Sequence, residues 1–128
     1  MILGIDLGQK TTGIAISHGQ LATPHTTIKH QNQDQALSSI LKIIEQEKID
    51  TVVIGFVEGK IKELFEDFAK KLKGLKPNLK VVLKDETLTT GQATEYMIKL
   101  SIPKMKRREK EHEYAASFIL QSYLDENQ

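Results

Sequence analysis

Thr51-Val-Val-Ile-Gly-Phe56 is apolar at almost every position rather than at alternate ones, and segments of helical periodicity flank it on both sides. A strand apolar on both faces has to be covered on both, which is the condition of a parallel strand inside an α/β layer structure. Upstream, Leu37, Ile40, Leu41 and Ile44 recur at the i, i+3, i+4, i+7 spacing of one helix face, which predicts a helix from Gln35 to near Lys48. Downstream of Gly59, the residues Ile61, Leu64, Phe65, Phe68, Ala69 and Leu72 predict a second helix, stopped by Gly74 and Pro77. Val81-Val-Leu83 reads as the next buried strand.

The amino-terminal part is patterned differently. Two short β-like runs, Ile2 to Gly8 and Gly13 to Ser17, enclose the polar Gln9-Lys-Thr-Thr12 and read as a hairpin. A third strand is expected around His25 to Ile28, after Pro24, with His30 to Asp34 as the loop that closes it. Beyond Val81-Val-Leu83, the Thr89-x-x-Gln92 spacing fits a capping box opening a helix through Ala93 and Met97. Ser101 to Arg108, with Pro103 inside it, reads as a basic linker, and Ala115, Ala116, Ile119, Leu120 and Tyr123 mark a final helix. The expected order is β-β-β-α-β-α-β-α-α. That order gives an α/β fold: a mixed five-stranded sheet, three antiparallel strands then two parallel ones, flanked by helices. At 128 residues the chain is expected to form a single domain, 1–128.

Composition removes whole classes of function. There is no cysteine, which excludes disulfide scaffolds, thiolate zinc sites, iron–sulfur clusters and cysteine nucleophiles, and leaves oxygen and imidazole for any metal. No apolar run approaches the roughly 20 residues of a bilayer span. Asp6 interrupts the only apolar start a signal peptide could use, so a cytoplasmic protein with no membrane partner is expected. The net charge of +1 does not by itself announce nucleic acid, so the placement of charge has to decide.

Asp6 ends the first apolar strand and Asp85-Glu86 ends another, where open sheets carry their ligands. Each alone also suits a structural role, Asp6 as the cap of a hairpin turn. Together they put acids at two strand ends. Clustered carboxylates repel unless a cation neutralises them, and hard oxygen donors without cysteine favour Mg²⁺ or Mn²⁺. Such ions activate water and stabilise the leaving oxygen of a phosphodiester. His112 shares a face of the last helix with Ala116, Ile119 and Tyr123, so it is either a third contributor or a hydrogen-bonded structural residue. Its neighbours Glu111 and Glu113 read as solvated surface charge. Lys104, Lys106, Arg107 and Arg108 lie just before it, either as solvated surface or as phosphate contacts; Lys10 in the hairpin turn is a weaker candidate for the same task.

Some rivals fail on spacing. Gly8 to Gly13 is followed by Ile14, not by the Lys-Ser/Thr of a Walker loop; position 116 is Ala where a zincin needs its second histidine; and 5% aromatics with no Trp argue against a base-stacking platform. An actin-like sugar or acetate kinase fragment suits Asp6-Leu-Gly8, but one short domain cannot build the two-lobed nucleotide cleft.

Taken together, Ile5-Asp-Leu-Gly8 with Thr12-Gly-Ile-Ala15, Val52-Val-Ile-Gly55 with Glu58-Gly59, Asp85-Glu-Thr-Leu-Thr-Thr90, and Ala115-Ala-x-x-Ile-Leu-Gln-x-Tyr-Leu-Asp125 resemble the YqgF/RuvX family over nearly the whole chain. The resemblance implies an RNase H-like fold related to RuvC-type junction resolvases and a metal-dependent nuclease that matures pre-16S rRNA, with a DNA junction as the other candidate substrate. It implies Asp6 as the first acid, Glu86 or Asp85 as the second, and the third position three residues before Ala115. That position is His112 here, where the usual member has Asp. Thr87 stands for a familiar Arg, and Phe56-Val57 for a glycine-proline feature. The resulting expectation is a Mg²⁺ or Mn²⁺ site on Asp6, Glu86 and His112 with Asp85 in support; the competing one is a binding module that kept the fold and lost the chemistry.

Overall fold

The computed structural model describes residues 1–56, 62–85 and 104–127. Its elements run β1 (Ile2–Asp6), β2 (Thr11–His18), β3 (Leu21–Lys29), α1 (Gln33–Glu47), β4 (Thr51–Phe56), α2 (Lys62–Leu75), β5 (Lys80–Asp85) and α3 (Lys104–Glu126). The helix expected from Thr89 onward lies outside the described residues. The sheet order is β3-β2-β1-β4-β5. β1 pairs antiparallel with β2 and parallel with β4, and β4 pairs parallel with β5. The mixed sheet expected from the sequence is therefore the one observed, and its parallel half supports the reading of Thr51–Phe56 as a strand covered on both faces: Val52, Val53 and Ile54 are all fully buried.

Alternation along β1 assigns the two faces. Leu3, Ile5 and Leu7 join Ile14, Ile16, Val52 and Ile54 in one core against α1 and α2. Ala15, Val53, Ala116, Ile119, Leu120 and Leu124 form the other core, beneath α3. Burying one such Leu or Ile side chain contributes about 1.5–3 kcal/mol, so each face is held by several terms of that size.

Three boundaries differ from the sequence reading, each for a physical reason. β3 starts at Leu21 and runs through Pro24. A proline is tolerated there because β3 lies at the sheet edge and is bulged: Pro24 pairs with Ala15 and Thr26 with Ile14, which leaves His25 as the additional residue. α1 starts two residues early because Asn32, in the polar stretch that read as loop, is its N-cap; Asn32 Oδ1 accepts from the Gln35 amide at 2.9 Å. The basic segment that read as linker is helical from Lys104. Lys, Met, Arg and Glu are good helix formers, but without an apolar stripe they leave no periodic signal.

What brings α3 onto the sheet is a strip of glycines. A Cβ on Gly13 of β2 would overlap the His112 carbonyl, and one on Gly4 of β1 would lie 2.8 Å from the Ala116 carbonyl oxygen and 2.7 Å from Leu120 Cβ. The helix backbone rests directly on these strands. Further along, Gln121 Oε1 accepts from the Ala22 amide at 2.9 Å and Ser117 Oγ donates to the Ala22 carbonyl at 3.3 Å, so side chains of α3 satisfy part of the β3 edge.

Candidate active site

Asp6 is the last residue of β1, on the α3 side of the sheet, and its side chain is 18% exposed. A carboxylate so far removed from water needs a partner. It has one: His112 Nδ1 donates to Asp6 Oδ2 at 2.9 Å, across 106 residues of chain. The contact follows from the glycine strip, because Gly13 is the register neighbour of Asp6 on β2 and the His112 carbonyl sits over it. The hydrogen bond to Asp6 raises the pKa of His112 above its ordinary 6.5; burial opposes this, and the charges of Asp6 and Glu111 add to it.

Asp85 closes β5 at the same carboxyl edge of the parallel strands and is exposed. Asp6 registers with Gly55 and Gly55 with Lys84, so Asp85 stands two strands and one residue away, about 10 Å across the sheet. It continues the parity of Val81 and Leu83, which pack toward α1 and α2, whereas Val82 packs toward α3. Glu86 lies outside the described residues. Among the described residues, no group of three or more His, Asp and Glu side chains could hold a metal ion. Of the two donors that do meet, the carboxylate suits a hard divalent cation, and the imidazole suits Mn²⁺ better than Mg²⁺. Mg²⁺ in particular takes one or two carboxylates and completes its shell with water and substrate phosphates.

Lys10 is exposed in the β1–β2 turn, next to this edge. The turn is strapped from below by residues the sequence reading did not single out. The His30 amide donates to the Lys10 carbonyl at 2.9 Å, and Gln33 Nε2 donates to the Gly8 carbonyl at 3.1 Å. His30 Nε2 and the fully buried Thr12 hydroxyl are hydrogen-bonded at 2.8 Å. Burial pushes the His30 pKa down, so this histidine is a neutral structural group. Lys104, Lys106, Arg107 and Arg108 occupy the first turns of α3, one to two turns before His112; their side chains lie outside the described part of the structure. Glu113 corrects the sequence reading. It is half-buried, not solvated surface, and its Oε2 accepts from the Thr27 hydroxyl at 2.8 Å. Nothing in the chain's pattern signals that bond, which joins residues 86 apart.

Comparison with known proteins gives this arrangement a lineage. The family model "RuvX: Holliday junction resolvase" matches residues 1–126. The chain belongs to the RuvX family. Relatives that carry the name "Putative pre-16S rRNA nuclease" include one from Clostridium botulinum (strain Alaska E43 / Type E3), 36% identical over 97% of this chain and 96% of the relative. Another, from Clostridium acetobutylicum, is 34% identical over 97% of each chain. Among solved structures, this RuvX-family chain resembles the Fowlpox virus resolvase in its Holliday junction DNA complex, with a TM-score of 0.65 at 18% identity, covering 98% of this chain and 97% of that one. It also resembles Thermus thermophilus RuvC in complex with a Holliday junction substrate, with a TM-score of 0.60 at 12% identity, covering 98% and 94%. The RuvX chain thus has the RNase H-like fold of the RuvC-type resolvases.

Proposed function

We propose that this chain is a divalent-cation-dependent nuclease that hydrolyses phosphodiester bonds in structured RNA, with pre-16S rRNA as its substrate in the cytoplasm and residues 1–128 acting as one domain. The observation that carries the reading is the Asp6–His112 pair: a shielded carboxylate and an imidazole of raised pKa, drawn from opposite ends of the chain to the carboxyl edge of the parallel strands. The names of the sequence relatives support the choice of RNA.

In this reading Asp6 and Glu86 are the donors for Mg²⁺ or Mn²⁺, and His112 is either the third donor or the proton carrier; Asp85, expected in support, is turned by pleat parity toward α1 and α2 and is not among them. The cation, when bound, neutralises charge on the phosphodiester and activates water. The chain's own residues do the rest. Asp6 fixes the imidazole ring, and the hydrogen bond between them raises the pKa of His112, which favours its protonated form. As the proton carrier, with Nε2 free of the cation, a protonated His112 would pass its proton to the leaving oxygen as water adds to phosphorus and the P–O bond breaks, a contribution typically worth about 10²–10⁴-fold in rate. Lys10, Lys104, Lys106, Arg107 and Arg108 hold flanking phosphates, which positions the strand without reading its sequence.

The test is cleavage of a precursor rRNA fragment by purified protein with Mn²⁺. Asp6→Asn is expected to lower the rate by about 100-fold or more; undiminished cleavage by that variant defeats the assignment. A four-way DNA junction run beside the RNA decides the substrate, since the family description names a junction resolvase. A second reading, a binding module without chemistry, draws on the histidine at position 112 and the near-neutral charge. Calorimetry with Mn²⁺ separates the two: stoichiometric binding that is lost in Glu86→Gln counts against the dead scaffold.

A further inference from the structure

Asp6, Gly13 and Thr27 are register neighbours in one row across β1, β2 and β3. The peptide between His112 and Glu113 lies over the middle one: a Cβ on Gly13 would overlap both the His112 carbonyl and the Glu113 amide nitrogen. Their side chains splay to the two sides. His112 Nδ1 donates to Asp6 Oδ2 at 2.9 Å, and Glu113 Oε2 accepts from Thr27 Oγ1 at 2.8 Å. Consecutive residues of one helix thus straddle a glycine and are tied down on both flanks.

A helix seated on glycine is close to the sheet but poorly registered. Ordinary helix packing fixes rotation and sliding by fitting side-chain ridges into grooves, and a glycine surface offers neither. Ile119 and Leu120 pack over Gly55 and Gly4 and hold the helix further along, so in the turn over Gly13 it is directional hydrogen bonds that set the angle. Ser117 and Gln121 continue the Glu113 stripe and bind the Ala22 backbone, but they lie one and two turns further along α3. Glu113 acts in the turn that carries His112. It is also placed so that any rotation drawing His112 off Asp6 would stretch or compress its own bond.

We propose that Glu113, held by Thr27, is the positioning residue that keeps His112 against Asp6. It touches neither substrate nor reacting atoms. The claim concerns geometry; its catalytic consequence rests on the nuclease reading above, and the experiment separates the two. With ¹⁵N-histidine-labelled protein at one fixed pH, the hydrogen-bonded Nδ1 proton of His112 gives a signal that His112→Gln removes and so identifies. Glu113→Ala and Thr27→Val are expected to shift or broaden that signal while the protein stays folded. Glu113→Gln, which keeps an acceptor, and Thr27→Ser, which keeps the hydroxyl, are expected to retain it. If Glu113→Ala does not fold, the Thr27 pair decides. An unchanged signal in folded Glu113→Ala or Thr27→Val overturns the proposal. Cleavage adds a second readout: displacement of the imidazole is expected to lower kcat about tenfold or more with little change in KM, and the conservative variants to restore it. Should the wild-type chain cleave nothing, the nuclease reading fails, while the resonance still decides the role of Glu113.

Discussion

At the scale of single residues, the Asp6–His112 bond makes stability depend on pH in a direction that can be worked out. The folded pKa of His112 is raised above the unfolded value of 6.5, so the folded state holds the proton more tightly than the unfolded chain. The pair's contribution is fully present below pH 6.5, as long as Asp6 is ionised, and is lost as pH rises through the raised folded value. Urea unfolding of wild type and Asp6→Asn on both sides of that window is expected to show a difference that shrinks toward alkaline pH. A difference that grows with pH would mean that the imidazole is held neutral. The effect is modest, since His112 is 32% exposed and water screens the pair. The sequence flagged Asp6 and His112 separately, one by its place at a strand end and one by its helix face. Their meeting was expected only through the family resemblance, which puts both in one cation site, because no local pattern encodes a contact across 106 residues. Thr27 and Glu113 were less legible still: a threonine in a strand and a glutamate in a helix are what any surface carries.

Among the elements, α3 depends on the absence of side chains beneath it. Gly13→Ala would ordinarily gain about 0.4–1 kcal/mol by restricting the unfolded chain. Here the added methyl meets helix backbone, which cannot swing aside as a long side chain can. Overpacking of that kind costs about 1–3 kcal/mol, so destabilisation wins, and a lower thermal midpoint with loss of the His112 Nδ1 signal is expected. Asn32→Ala tests a different element. Removing the cap of α1 is expected to cost about 1 kcal/mol in chemical denaturation and to leave the Asp6–His112 pair in place, because α1 packs on the opposite face. The interiors of α1 and α2 were readable because their burial writes an apolar period into the chain, and β4 because its apolar run is continuous. The start of α3 was not: its basic first turns have helix propensity without periodicity, and propensity by itself reads poorly against a flanking proline.

For the whole molecule, two cores share one sheet, and the central strands β1 and β4 belong to both. Ile54 is fully buried at that centre, and Ile54→Ala is expected to cost about 2–5 kcal/mol, read as a lowered denaturant midpoint in a single transition. Two separate transitions would show that the faces unfold independently. The layered sheet could be inferred because a doubly apolar strand between two helical periods has few other resting places. Which acids face each other could not, since that depends on strand order and on pleat parity at the rim, and a one-residue slip would turn Asp6 to the other face.

The row formed by Asp6, Gly13 and Thr27 is complete by residue 29, whereas the helix that lies across it begins at Lys104. During synthesis the amino-terminal hairpin therefore waits, with bare backbone where the last helix will rest, until most of the polypeptide has left the ribosome. A nascent chain that lacks α3 has no assembled Asp6–His112 pair. The pair forms only once α3 lies across that row.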